Sequence, residues 1–473
     1  CEKVRLKAGD ISNAYFQGQP VDRLILLKQP PGGLGDTSIA DDTVLAARVP
    51  IYGTKDAGRG FWKQLRSDIV ATGLKENAIM RALYYFQVDG DIKCMLATHV
   101  DDMIWGVKEG FEYLIDQLLA KFSLKKVEQD SFRFCGREVN QDSDYTIHVT
   151  CKDNVEKVER VNYDPKGRLA TDAAHEYEIS QLRSVVGSLA WVARQCRPDL
   201  SFGVSKLQSV AAKARVEDLA LANKLVRDGA TGSSTGLHYH SGAFRWKDMI
   251  AITVSDASHA NEEVIVKGTR EPHRSQRGIM SLIDDARALT EETSAVHVIS
   301  YSSTVIKRIC RGTLQAETYA LQGGVEETMR VRAAIVCMMG KLDIKKWEPT
   351  AAAGMRHVWM TDCKSLEEHL KNPTFSKSAD KRLTIEIAAL RQLLWMLPDE
   401  TIVDELDDSC PDCIRWIDTS TMPSDCLPKY MKPDRLMDMM RTGVLDLIPT
   451  AQSLLIKMRK QKSQKGNSLD APA

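Results

Sequence analysis

Asp101 and Asp102 stand side by side in Leu96-Ala97-Thr98-His99-Val100-Asp101-Asp102-Met103-Ile104-Trp105-Gly106. Apolar, strand-forming runs flank them, so the pair reads as the tip of a hairpin. Adjacent acids repel, and an apolar setting raises the cost of ionising both, so positive charge is expected beside them. A pair of divalent cations supplies it, and metals that move phosphoryl groups need such carboxylates. Asp10 ends an earlier strand-like run. If the two runs are neighbours in one sheet, three carboxylates converge. On its own an Asp-Asp turn is more often a solvated turn, and three acids can be unrelated surface groups. The rest of the chain has to decide.

The elements that must position these acids can be read coarsely. Val4-Arg5-Leu6-Lys7 leads toward Asp10, and Gly58 to Leu74 has helical spacing, with Phe61, Trp62, Leu65 and Ile69 on one side. Strands flank Asp89-Gly90, a hairpin signal. Residues 108–170 alternate charged and apolar positions. Two helices follow, Ile179–Cys196 and Pro198–Val226, with the proline suited to a first turn. Asp228–Gly242 is rich in Gly, Ser and Thr and reads as a linker. A second α/β unit then repeats the theme of strands ending in acids: Ile250 to Asp256, and His357 to Asp362. Between them lie a turn-rich segment to Arg277, a strand over Gly278–Ile283 and a long helix over Gln315–Met338.

At 473 residues the chain calls for two or three domains. It is 43% hydrophobic and 27% charged, with zero formal net charge. Any nucleic-acid surface must therefore be a local patch. No apolar run reaches about 18 residues, so no membrane span is expected. No secretion signal is visible; the chain begins at Cys1, which reads as a fragment. Eleven scattered cysteines suggest reduced thiols, in a cytoplasmic particle or the nucleus. Cys410, Cys413 and Cys426 lack a second paired motif or a nearby His, so free thiols are expected there rather than zinc.

Asp10-Ile11-Ser12-Asn13-Ala14-Tyr15-Phe16 and His99-Val100-Asp101-Asp102 resemble the first acidic motif and the "YxDD" box of reverse transcriptases. Tyr52-Gly53-Thr54-Lys55-Asp56-Ala57-Gly58-Arg59-Gly60-Phe61-Trp62 is similar to the "LYGLKQAPRAW" segment of copia-type (Pseudoviridae) retrotransposons. Leu182-Arg183-Ser184-Val185-Val186-Gly187-Ser188-Leu189 with Arg197-Pro198-Asp199-Leu200 is similar to their "YRSLVGSLMYL…TRPDI" stretch. The resemblance, in the right order along nearly the whole chain, implies that Asp10, Asp101 and Asp102 are polymerase metal ligands. It implies that Tyr15 stacks under the incoming sugar and selects deoxynucleotides, and that Lys55 and Arg59 lie near substrate or template phosphates. The plainer readings are a core tyrosine and solvated helix charges.

A second acidic series follows: Asp256 at a strand end, Glu317 on a helix, Asp362 at a strand end, and Asp425 in Ser424-Asp425-Cys426-Leu427. This order resembles ribonuclease H, whose copia-type counterparts read "SDADWAG", "STEAEYMAL", "DNQSA" and "WVPTxxQxADxLTK". Four carboxylates can hold two metals astride one phosphodiester. Any one of these acids alone suits a surface or capping role better.

The implied fold is α/β (α+β): a reverse transcriptase palm over 1–107 with its fingers largely missing, and a thumb and connection over 108–227. A linker over 228–247, a ribonuclease H-like domain over 248–450 and a basic disordered tail over 451–473 complete it. Implied cofactors are two Mg2+ per active site, with Mn2+ as the alternative ion. Implied partners are an RNA template, a DNA primer, deoxynucleotides and an RNA–DNA hybrid, the hybrid read by backbone shape and 2′-hydroxyls. Departures stand beside the matches. His99 replaces the usual Tyr, Asp56 the usual Gln, and Gly58 a Pro, the last expected to loosen its loop. His259 is expected as an exposed polar residue. A decayed copy that binds nucleic acid without catalysis is the competing reading, opposed by the retention of all seven acids. An unrelated two-domain nuclease would leave the first set unexplained.

Overall fold

Alternation builds the first sheet. In the strand Asp91–His99, Ile92, Cys94, Leu96 and Thr98 are buried in turn, the period-2 pattern of a strand with one face on a core. The structure, a computed structural model, describes residues 3–35, 38–40, 42–374 and 380–449. The strands are β1 (Leu6–Ile11), β2 (Leu83–Val88), β3 (Asp91–His99), β4 (Asp102–Val107) and β5 (Leu124–Gln129). Their order is β2-β3-β4-β1-β5, with Lys75–Glu76 on the outer edge of β2. The β2–β3 hairpin turns at Asp89 and Gly90, both in the left-handed region (φ 52° and 78°), as a two-residue turn there requires. Helix α1 (Ala57–Ala71) lays Ala57, Phe61, Leu65 and Ile69 on the sheet, and Gly73 at φ 99° follows its end. Helix α2 (Tyr113–Leu119) adds Leu114, Ile115 and Leu118 to the same core.

A small sheet follows, β6 (Ser131–Phe134), β7 (Arg137–Gln141) and β8 (Ile147–Thr150), and then helices α3 (Glu176–Gln195), α4 (Ser201–Val210) and α5 (Val216–Thr231). The single helix expected over Pro198–Val226 is in fact broken. Ala214 is extended, and the Asp218 carboxylate accepts the Arg215 N–H at 2.7 Å, a box that starts a new helix. The linker expected over 228–247 is also not one. It is helical to Thr231, and β9 (Leu237–Tyr239) pairs with β8. Its Gly and Ser content serves the turn between α5 and β9: a Cβ at Gly236 would sit 2.0 Å from the Val149 carbonyl oxygen. The Arg197-Pro198-Asp199 motif is architectural. Arg197 is buried, pairs with Asp199 at 2.8 Å and donates to the Gly229 and Gly232 carbonyls, tying the start of α4 to the end of α5.

The second α/β unit has strands β10 (Met249–Val266), β11 (Thr269–Asp285), β12 (His297–Val305), β13 (His357–Thr361) and β14 (Asp412–Trp416). Their order is β12-β11-β10-β13-β14, antiparallel through β10 and parallel from β10 to β14. The turn-rich segment expected before Arg277 is part of a long β10–β11 hairpin, turning at Lys267 and Gly268 (φ 50° and 82°). Charged residues obscured it because its outer half is mostly half-buried, with its charges paired to one another and to neighbouring helices. Helix α6 (Thr313–Met338) crosses the sheet; a Cβ at Gly324 would stand 2.6 Å from Thr253 Cγ2, so glycine sets the close approach. A helix over Trp347–Gly354 precedes β13, and helices α7 (Lys364–Lys371), α8 (Lys381–Leu394) and α9 (Asp434–Thr442) follow it in the unit. Arg332 and Asp412 form a buried pair at 2.7 Å between α6 and β14.

The two sheets meet at the far end of α6. Asn77 donates to the Ala334 carbonyl and Tyr85 to the Cys337 carbonyl, each at 2.8 Å. Tyr85, Ile92, Val331, Ile335 and Met338 share one core cluster. The basic tail expected over 451–473 lies outside the described residues. Among the described residues no helix is long and apolar enough to cross a membrane.

Candidate metal centres

The first acidic set sits where β1, β3 and β4 meet. Asp10 and Asp102 are direct cross-strand partners, and the Ile11 N–H donates to the Asp101 carbonyl at 2.9 Å. His99 pairs with Asp102 across a two-residue tip, where Val100 takes φ 57°. A β-branched residue pays strain in that conformation. Burial first, then the Asp101 and Asp10 charges, raise the Asp102 pKa, against a backbone hydrogen bond from Cys135 and the charge of His99. Asp10 Oδ2 binds Lys125 Nζ at 2.7 Å, while its buried Oδ1 has no hydrogen-bond partner. These three acids are neighbours, but they are not a group whose ligand atoms all lie within 4.8 Å; among the described residues only the second set provides one.

Around them, the Tyr15 ring lies 4.5 Å from that of Tyr52 and 6.4 Å from that of Phe61, so it faces the start of α1. Lys55 and Arg59 are exposed there, and among the described residues neither pairs with the three acids. Asp56, the charge that departs from the family string, is held by Arg23 through bonds of 2.9 and 3.0 Å. That contact lowers its pKa. Gly58 does not loosen a loop. It lies in the first turn of α1, which the buried Ala57 and Phe61 pin to the sheet.

The second set is assembled at one end of the β10 sheet. Asp256 pairs with Gly278 of β11, and Asp362 follows directly on β13. The first turns of α6 bring in Glu317, whose Oε1 accepts the Ala257 N–H at 3.3 Å. One carboxylate oxygen from each of Asp256, Glu317 and Asp362 falls within 4.8 Å of the others. Asp256 and Glu317 are 2% and 4% exposed, and Glu317 Oε2 has no hydrogen-bond partner. Burial, reinforced by the neighbouring acids, pushes Glu317 up to about 8 and raises Asp256 and Asp362. The Thr419 side chain opposes the shift at Asp362 by hydrogen bonding to it.

Asp425 reaches the same place from a turn after β14. A Cβ at Gly278 would lie 2.4 Å from Leu427 Cβ, and Ser303 Oγ donates to the Leu427 carbonyl at 2.5 Å. The missing side chain on β11 therefore lets this turn settle beside Asp256. Lys429 closes the site, ion-paired with Asp425 and 3.4 Å from Asp256 Oδ2. Neither Gly278 nor Lys429 was marked by sequence reasoning. Lys429 had a signal, since it stands four residues after the acid, as the lysine does in "ADxLTK"; Gly278 had none. His259, expected as exposed, is half-buried and bonded to the Cys310 carbonyl at 3.1 Å, because the β10–β11 hairpin folds over that loop. Cys410, Cys413 and Cys426 are free thiols.

A sheet with acids at neighbouring strand positions is thus followed by a five-stranded α/β unit that carries a second acidic set. Residues 2–163 match the reverse transcriptase (RNA-dependent DNA polymerase) family. Longer stretches of the chain are similar to retrotransposon proteins. The chain is 26% identical over 265 residues to the putative transposon Ty5-1 protein of Saccharomyces cerevisiae, covering 53% of this chain and 83% of that one. It is 28% identical over 212 residues to the retrovirus-related Pol polyprotein from transposon RE2 of Arabidopsis thaliana, covering 42% of this chain. It is 24% identical over 321 residues to the corresponding polyprotein from transposon RE1 of the same plant, covering 65% of this chain. The matched parts span 14% and 20% of the RE2 and RE1 polyproteins. A solved N-terminal ribonuclease H domain from Mycobacterium tuberculosis, fused to maltose-binding protein, aligns with 41% of this chain and 98% of its own. The identity is 14% and the TM-score 0.22.

Proposed function

We propose that this chain carries two separate nucleic-acid active sites. Asp10, Asp101 and Asp102 serve template-directed DNA synthesis. Asp256, Glu317, Asp362 and Asp425 serve cleavage of RNA in an RNA–DNA hybrid. The carrying observation is the second set: acids from a strand, a helix and a strand end bring ligand oxygens within 4.8 Å of one another, Asp425 is joined to Asp256 through Lys429, and a buried carboxylate oxygen of Glu317 is left without a hydrogen bond.

An all-carboxylate oxygen set fits Mg2+ or Mn2+ better than softer metals. Divalent ions held there would lower the pKa of an attacking water and neutralise the departing oxygen. The chain's own residues do the rest. Asp256 and Asp362 fix the position on rigid strands, Glu317 closes it from α6, and Asp425 covers the remaining side. At the first site, Asp10 and Asp102 are partners on neighbouring strands, and the Tyr15–Tyr52 pair would stack a sugar ring. Lys55 and Arg59, both exposed, would meet phosphates. A second reading, nucleic-acid binding without synthesis at the first site, draws on the Lys125 ion pair that engages Asp10.

The test is Mg2+-dependent cleavage of a labelled RNA–DNA duplex by two variants of the chain. Asp362→Asn should abolish cleavage, whereas Asp101→Asn should retain it. Equal loss in both would reject separate sites.

A further inference from the structure

The four carboxylates of the second site are not equivalent. Asp256, Glu317 and Asp362 form the close group, with ligand atoms within 4.8 Å of one another. Asp425 is outside that group, and the Lys429 ammonium bridges it to Asp256, paired with Asp425 and 3.4 Å from Asp256 Oδ2. Lys429 is four residues after Asp425 in the same turn, and Gly278 and the Ser303–Leu427 bond hold that turn against the sheet. The cation is thus built into the site. Its side chain is 39% exposed, so its stem has room to swing outward.

We infer that Lys429 occupies the place of a second divalent ion, so that the free protein loads one ion at Asp256, Glu317 and Asp362 and no more. This rests on the metal-dependent cleavage proposed above. The unbonded Glu317 Oε2 marks where the first ion is drawn. An ion between Asp256 and Asp425 would have to displace an ammonium already held by both carboxylates, and like charges at that spacing repel. Lys429 acts through those two acids and is a positioning residue. Its charge keeps the Asp425 side neutralised until a phosphodiester offers the ammonium other oxygens.

The experiment counts Mn2+ bound to the full chain, by the loss of the free-ion electron paramagnetic resonance signal. Asp10, Asp101 and Asp102 are changed to Asn throughout so that only the second site is read. The parent should bind one ion. Lys429→Met and Lys429→Gln should each bind two, and Lys429→Arg, which keeps the charge, should return to one. Using two neutral variants protects the result against a folding failure in either. One ion in both neutral variants overturns the role of Lys429 while leaving the metal site intact. Two ions in the parent also overturn it. No ion in the parent overturns the metal site itself, and this inference with it.

Discussion

Glu317 concentrates the physical cost of the second site in one residue. Its carboxyl is buried, flanked by acids and pushed up to about 8. The unfolded chain releases that proton near the ordinary carboxylate value, about 4.3. Between those two values the folded state holds more protons than the unfolded one, so this group's contribution to stability falls as pH rises. Without metal, thermal stability should therefore decline from pH 5 toward pH 8. Added Mg2+ binds the deprotonated site, so it should raise Tm more at pH 8 than at pH 6, as scanning calorimetry would register. Glu317→Gln should flatten the metal-free decline and cut hybrid cleavage by roughly a hundredfold or more, since even residues behind a metal ligand cost about 10–100-fold. A metal-induced rise in Tm that is the same at both pH values would separate the ion from these acids.

Elements, not single residues, decide whether the acids meet. β10 and β13 run parallel and place Asp256 and Asp362 at the same end, and the chain order of strand, helix, strand and turn was legible from acids at strand ends. The β1–β4 pairing that sets Asp10 against Asp102 was legible in the same way, as was the Asp89-Gly90 turn. What was not legible was close approach. Gly278 looks like any strand glycine in the sequence, yet its missing side chain admits the Asp425 turn. Gly278→Ala should push that turn away and cost about 1–3 kcal/mol of stability. Cleavage should fall about tenfold or more, because a small misplacement of catalytic groups is expensive; denaturant titration and the duplex assay measure the two effects. The break before α5 was hidden for a related reason: its cap comes from Asp218, a residue that reads as an ordinary helix acid. The β9 strand was hidden because three residues carry too little pattern to be read without their partner, β8.

At the scale of the whole molecule, the first sheet and the second α/β unit are joined by contacts no local pattern announces. Asn77 and Tyr85 reach carbonyls more than 250 residues away, at the end of α6. Truncating Asn77 to Ala leaves the buried Ala334 carbonyl without that bond and should cost about 1–3 kcal/mol; if the sheets unfold together, the loss appears in a single calorimetric transition. Within the second unit, Arg332→Met strands a fully buried Asp412 carboxylate and should cost about 3–5 kcal/mol, read by urea unfolding. Carboxylates gathered from distant segments are proposed to hold divalent ions. Anomalous scattering from crystals of the full chain soaked in Mn2+ tests that most directly. A peak within about 2.0–2.6 Å of oxygens from Asp256, Glu317 and Asp362 is the predicted result. A fully soaked crystal with those three residues ordered and no manganese between them would contradict it.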